Sequence, residues 1–509
     1  MNLRDIVERR FAGSAVALVA GALLACSIAP LSLWPLAFLM PAVLFWLWEG
    51  ARPKRAAVLG FWFNVGTFAV GTYWLYIAIS EIGHAPLYLT VFLMAGLLAI
   101  MGAYFALAGW LVARFLPERG WLRWLVALPA VWLLVEWWRS WFLSGFGWLA
   151  LGYSQTDTWL AGFAPVVGQF GMGWLVALVA GALLTLLSGT RNERIAAGGI
   201  VVVVFGAGFA LLDREWVSPQ GPPLSVAVIQ GAIPQDEKLV ESNLPKMLDL
   251  YARLTREANG AKLIVWPESA IPDLVNNHVE FFGNVYRESS AQGSALVMGV
   301  MREADNPRTG EEEFFNSVVA MDRDVAGVAF YDKYHLVPYT EFVPVPDFVR
   351  TWLRRMNLPS ADFKRGAEER PPLHAAGQVI ATGICYEDAY GWTQLPALRT
   401  ATMLVNVTND AWFGHSTARY QHLQISRLRA MEARRPMVRA ANTGVSALID
   451  EHGRVVKSAP EYEPNVMRGE IQPQIGLTPY ARMGNGPVIC WALVLCFGGA
   501  YLARRPKGS

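Results

Sequence analysis

The chain is poor in charge and in cysteine, and each shortage closes off a class of protein. Of its 509 residues 17% are charged and 54% apolar, against roughly 25% charged in an ordinary globular domain. That composition excludes disorder, which needs low hydrophobicity and high net charge, and it excludes a wholly soluble chain. The formal net charge of +2 leaves no basic excess to neutralise a phosphate backbone, so nucleic acid is not expected as a partner. Acidic residues are missing above all from one region, because only nine of the 41 precede residue 214. The chain therefore has an apolar part and a polar part. Among the seven His residues no pair stands at metal-ligand spacing with a third ligand in view, so neither a metal nor another cofactor is expected.

Cysteine is scarcer still. Cys26, Cys490 and Cys496 lie in apolar runs, and Cys385 alone lies in the polar part. A disulfide framework is excluded there, and a lone thiol has either a burial role or a chemical one.

What the first part has is long apolar runs. Seven of about 18 residues or more, the length a helix needs to cross a bilayer, lie near 13–30, 33–50, 56–79, 87–115, 121–142, 161–187 and 194–212, and an eighth near 487–503. Fifteen of the 21 Trp residues precede residue 214, many near helix ends, as expected of rings at the headgroup level. With a cytoplasmic N-terminus, the inner short segments carry 14 Lys or Arg residues and the outer short loops only Arg139. That asymmetry places both termini in the cytoplasm and the polar part outside. The expected organisation is a membrane domain over 1–213 with seven transmembrane helices, an outer domain over 214–484, and a last transmembrane helix with a cytoplasmic tail over 485–509. Arg9 and Arg10 before a run ending at Cys26 look like a lipoprotein signal peptide, but the chain continues at once into further spans. A first transmembrane helix is the preferred reading. Glu136, beside Trp137 and Trp138, would support a transporter or scaffold; its place near a helix end favours contact with Arg139 or water.

In the polar part, 224–230, 262–266, 295–300, 317–321, 379–384, 403–407, 437–441 and 445–449 read as strands and 417–434 as a helix, with Leu423, Leu428 and Met431 on one side. The alternation argues an α/β layered domain. Three strand-like runs end in polar residues that packing does not explain: Glu268 in WPES, Lys333 in YDKYHLVPYTEFVP, and Cys385 in GICYED. Strand ends are where open α/β sheets gather catalytic groups, and these three supply a base, an electrostatic stabiliser and a nucleophile.

Those strings resemble the signature segments of the nitrilase superfamily of carbon-nitrogen hydrolases. With VTNDAWFG (Val407–Gly414), RAANTGVSALID (Arg439–Asp450) and GFGWLALGYSQ (Gly145–Gln155), the whole chain resembles the membrane-bound branch of that superfamily, the bacterial apolipoprotein N-acyltransferases. The resemblance implies a polytopic α-helical membrane domain of about eight helices plus a nitrilase-like αββα sandwich, with Glu268, Lys333 and Cys385 as the triad and Glu341, Tyr386 and Glu387 in support. It implies acyl transfer through a Cys385 thioester. The donor would be a membrane phospholipid, phosphatidylethanolamine, and the acceptor the α-amine of a diacylglyceryl-modified N-terminal Cys on an apolipoprotein. The site would face the periplasm at the bacterial inner membrane. Lys333 is expected to favour the Cys385 thiolate. Departures are Gly147 where Pro is common and Leu239 where some members carry Trp. The segment 352–359 is a candidate cover over the thioester. A membrane-anchored amidase or nitrilase shares the triad and differs only in its acceptor.

Overall fold

A computed structural model describes residues 10–325, 327–338, 340–342 and 363–504; the candidate cover at 352–359 lies outside them. The chain divides into two units, one built from residues up to Glu215 with His415–Gln424 and Thr478 onward, the other from Trp216–Gly414 and Ile425–Leu477.

Each apolar run of the first unit contains a helix: Arg10–Ala25, Leu36–Leu47, Pro53–Gly71, Leu87–Phe115, Leu128–Arg139, Ala164–Ser188, Arg191–Leu212 and Gly486–Arg504. Among the described residues three helical stretches, Leu87–Phe115, Trp159–Ser188 and Arg191–Leu212, are long and apolar enough to cross a membrane. Small residues let the helices approach closely. A Cβ on Gly21 would run into the Phe63 carbonyl and one on Gly66 into that of Leu18, so the first and third helices touch backbone to backbone. Two buried ionic groups bond main chain. Glu136 accepts from the Leu151 N–H (2.8 Å), while Arg139 donates to the Phe146 and Trp148 carbonyls.

The second unit holds two six-stranded sheets. We number its strands β1 Leu224–Gln230, β2 Leu263–Val265, β3 Ala295–Asp305, β4 Glu312–Met321, β5 Ala329–Asp332, β6 Leu373–Ala375, β7 Gln378–Ile384, β8 Met403–Thr408, β9 Met437–Ala441, β10 Ala447–Ile449, β11 Val455–Ser458 and β12 Asn465–Ile471. The orders are β12-β1-β2-β3-β4-β5 and β11-β10-β9-β8-β7-β6. In each sheet three central strands run parallel and the outer pairings are antiparallel. The central strands are buried on both faces and so read as continuous apolar runs. From the first sheet Ala227, Ile229, Ile264, Trp266, Leu296 and Met298, at a period of two, meet helices Leu244–Ala258 and Val279–Ala291 through Tyr251, Leu254, Phe282 and Val285. The opposite residues, among them Val228, Leu263 and Val265, are buried as well. Ser446 beyond β9 donates to the Gln230 side chain of β1 (2.7 Å), which ties the sheets together. From Ile425 on, helix Ala418–Ala433 lies on the second sheet, where Ser426 meets Arg439 of β9 and Arg427 bonds the Gly453 carbonyl. The layers of this unit run helix, sheet, sheet, helix.

Candidate active site

Three strand ends converge. Beyond β2, Trp266 and Pro267 deliver Glu268, and the turn needs Ser269 in the left-handed region (φ 42°). The turn rests on β3 at Gly299, where a Cβ would strike the Pro267 carbonyl and Glu268 Cα. Beyond β5 comes Lys333, its N–H bonded to the Asn316 carbonyl of β4 at 2.8 Å. Beyond β7, Cys385 opens a short 3-10 helix, Cys385–Ala389, with φ 52°. A non-glycine residue in that region costs on the order of 1–3 kcal/mol and persists where the surroundings dictate it.

The structure brings Glu268, Lys333 and Glu341 into one buried ionic cluster. Lys333 Nζ, 1% exposed, lies 3.3 Å from Glu268 Oε1 and 2.9 Å from Glu341 Oε1. Asn316 Nδ2 donates to the same two oxygens at 2.8 and 2.7 Å, and the other oxygens accept from the N–H groups of Asn409 (2.9 Å) and Val337 (2.7 Å). Burial works against the Lys333 ammonium, but the charges of Glu268 and Glu341, with that of Cys385, outweigh it and lift its pKa above the ordinary lysine value.

Cys385 is buried, with the Thr408 hydroxyl at its sulfur. Burial first, then the Glu268 carboxylate, push the thiol well above its ordinary range against the opposing pull of Lys333. Lys333 does favour the thiolate, as expected, but its pull is the weaker influence. The lost solvation and the nearby Glu268 charge outweigh one ammonium and favour the thiol over the thiolate.

Glu387, fully buried, accepts four hydrogen bonds. Oε1 takes the N–H groups of Tyr334 (2.8 Å) and His335 (3.0 Å), and Oε2 those of Ile384 (2.9 Å) and the Tyr331 hydroxyl (2.9 Å). It ties the Lys333 loop to the strand end that carries Cys385. Burial raises its pKa more than these bonds lower it. The Tyr386 hydroxyl accepts from that of Tyr390 (2.6 Å), whose ring stacks on His335.

Sequence reasoning missed several members. Asn316 lies in β4 between Phe315 and Ser317, just outside the run 317–321 read as a strand, so nothing in the pattern marked it. Asn409 and Gln235 bond each other (2.8 Å) behind Glu268. Arg439, fully buried, donates to Asp410 (3.0 Å), which accepts from Thr408 (3.1 Å), so an ion pair backs the residue that touches the Cys385 sulfur. Leu239 is exposed.

Two family models match the chain: the apolipoprotein N-acyltransferase N-terminal domain over residues 20–182 and carbon-nitrogen hydrolase over 225–480. Among similar curated proteins are apolipoprotein N-acyltransferases of Methylococcus capsulatus, Vibrio parahaemolyticus and Azotobacter vinelandii. The first is 39% identical over 97% of this chain and 96% of its own. The second is 35% identical over 99% and 100%, and the third 38% over 99% and 98%.

Proposed function

The chain belongs to the apolipoprotein N-acyltransferase family, and from that premise we propose that it moves an acyl chain from phosphatidylethanolamine to the α-amine of diacylglyceryl-modified apolipoproteins. The observation that carries this reading is the buried cluster in which Lys333 holds Glu268 and Glu341 beside the Cys385 thiol, in a polar domain flanked in sequence by apolar helices.

In the first half-reaction Cys385 Sγ attacks the ester carbonyl as its proton passes to Glu268, which fits a thiol pushed above its ordinary pKa. Lys333, with backbone N–H groups near Tyr386, stabilises the oxyanion. Collapse breaks the ester C–O bond, and Glu268 returns the proton to the departing lysophospholipid. In the second half-reaction the acceptor amine attacks the thioester, loses a proton to Glu268 and expels the Cys385 sulfur, which recovers that proton. Glu341 and Glu387 position Lys333 and the loops, and Tyr386 lines the thiol. Eight transmembrane helices, seven within 1–213 and one within 485–509, hold the 214–484 domain on the periplasmic side of the inner membrane with both termini cytoplasmic; the Lys and Arg asymmetry of the short loops supports this.

The test splits the reaction in time. Incubated with phosphatidylethanolamine alone, the purified protein should gain the mass of one acyl chain, removable by hydroxylamine, and release one lysophospholipid per enzyme. A diacylglyceryl peptide with a free α-amine should then clear the thioester, and its N-acetylated form should not. Acylation of a Cys385→Ala protein would remove the mechanism. Rapid peptide-independent release of fatty acid would make the protein a hydrolase.

A further inference from the structure

Lys238 is a buried ammonium that the triad chemistry does not use. It closes the short helix Gln235–Lys238 and is 3% exposed. Among the described residues its Nζ makes one hydrogen bond, to the backbone carbonyl of Glu268 at 3.5 Å. Lysine is almost never fully buried without a charge partner, and this one lies against the residue assigned as base.

Its position is fixed from both sides. Asn442 exchanges hydrogen bonds with the N–H (3.1 Å) and carbonyl (2.8 Å) of Ile233, and donates to Asn409 at 3.0 Å. Asn409 in turn holds Gln235 through its side chain and Glu268 Oε2 through its backbone. One amide network therefore sets both the turn that carries Lys238 and the carboxylate it adjoins.

Charge balance gives the position a purpose. Glu268, Glu341 and Lys333 together carry one net negative charge, beside a thiol that must lose its proton. Asp410 also raises the cost of that ionisation, although Arg439 pairs with it. Asp236 and Glu237, on the same turn as Lys238, are exposed, and Glu387 is saturated by four donors. Among the described residues Lys238 is the remaining cation against Glu268.

We propose that Lys238 is a positioning residue of the acyl transfer, whose ammonium neutralises the Glu268, Glu341 and Lys333 cluster so that Cys385 can ionise against Glu268. The role rests on the thioester mechanism above. Burial lowers the pKa of Lys238 to about 8, with the Glu268 charge opposing the shift, so the neutralisation is present below that pH and fades above it.

The test reads thiol ionisation directly and needs no lipid, so its failure is separate from failure of the acyl-transfer reading. With Cys26, Cys490 and Cys496 replaced by Ala, alkylation of Cys385 by iodoacetamide is followed by mass between pH 6 and 10. In the otherwise unaltered protein the rate should climb with pH and bend toward a plateau near pH 8. Lys238→Arg, charged throughout, should climb without the bend. Lys238→Met should lie about tenfold lower below pH 8, the effect of roughly one pKa unit at the thiol. A profile without a bend in the parent overturns the proposal, as does Lys238→Met matching the parent, or Met and Arg variants that are equally slow.

Discussion

Replacing Glu387 by Gln keeps the shape of the side chain and removes one acceptor oxygen, so the cost can be worked out atom by atom. If the new NH2 faces Tyr334 and His335, two backbone N–H groups lose their acceptor and neither can turn away. If it faces the other side, only the Ile384 N–H is stranded, because the Tyr331 hydroxyl can rotate and accept. The second orientation wins. One unsatisfied buried donor costs about 1–3 kcal/mol, and relief from burying a charge keeps the total near that figure. Glu387→Ala strands three N–H groups and costs about 3–9 kcal/mol on the same scale, a large share of the 5–15 kcal/mol typical of a domain. At about 2–4 °C per kcal/mol for a unit of this size, the Gln variant should melt roughly 2–12 °C below the parent, and the Ala variant should fail to accumulate or melt far lower. The assay is loss of protease resistance on heating, read on peptides from residues 216–477. An unchanged melting point for Glu387→Gln, or a drop equal to that of Glu387→Ala, would refute the assignment of Glu387 as a four-donor tie.

Asn316→Ala removes the donor shared by Glu268 and Glu341. Thioester formation should slow about 10- to 100-fold, the equivalent of one charged hydrogen bond of roughly 1.5–3 kcal/mol, and single-turnover mass measurements would show no change if the bond is idle. A reporter fused near residue 300 should signal the outer side of the membrane, and a cytoplasmic signal there would overturn both the topology and the lipid-side chemistry.

The strand ends were legible because a buried strand followed by Glu, Lys or Cys is a conflict between pattern and position, visible without coordinates. Asn316 offered no such conflict, because the run read as a strand began one residue beyond it, at 317. Nor did Lys238, in the polar string PQDEK: its burial is set by Asn409 and Asn442, far along the chain. β12 went unread because NVMRGEI mixes charge with apolar residues, which an edge strand half open to solvent tolerates. In the apolar part, existence was easier than extent. The run 33–50 holds a helix of only 12 residues, Leu36–Leu47, and the run 56–79 yields an α-helix that ends at Gly71. Glu136 was expected to meet Arg139 or water; the Arg139 charge does act on it, and it also takes the Leu151 N–H, a contact with a short 3-10 turn that hydropathy does not encode.

The upward push on the Cys385 thiol has a consequence for its reactivity toward oxidants. Oxidants, like disulfides, react with thiolates and hardly with thiols. A sulfur whose proton is withheld by burial and by a neighbouring carboxylate is chemically quiet between turnovers. Such a sulfur resists overoxidation and stray disulfide exchange without a second cysteine in the polar part to protect it.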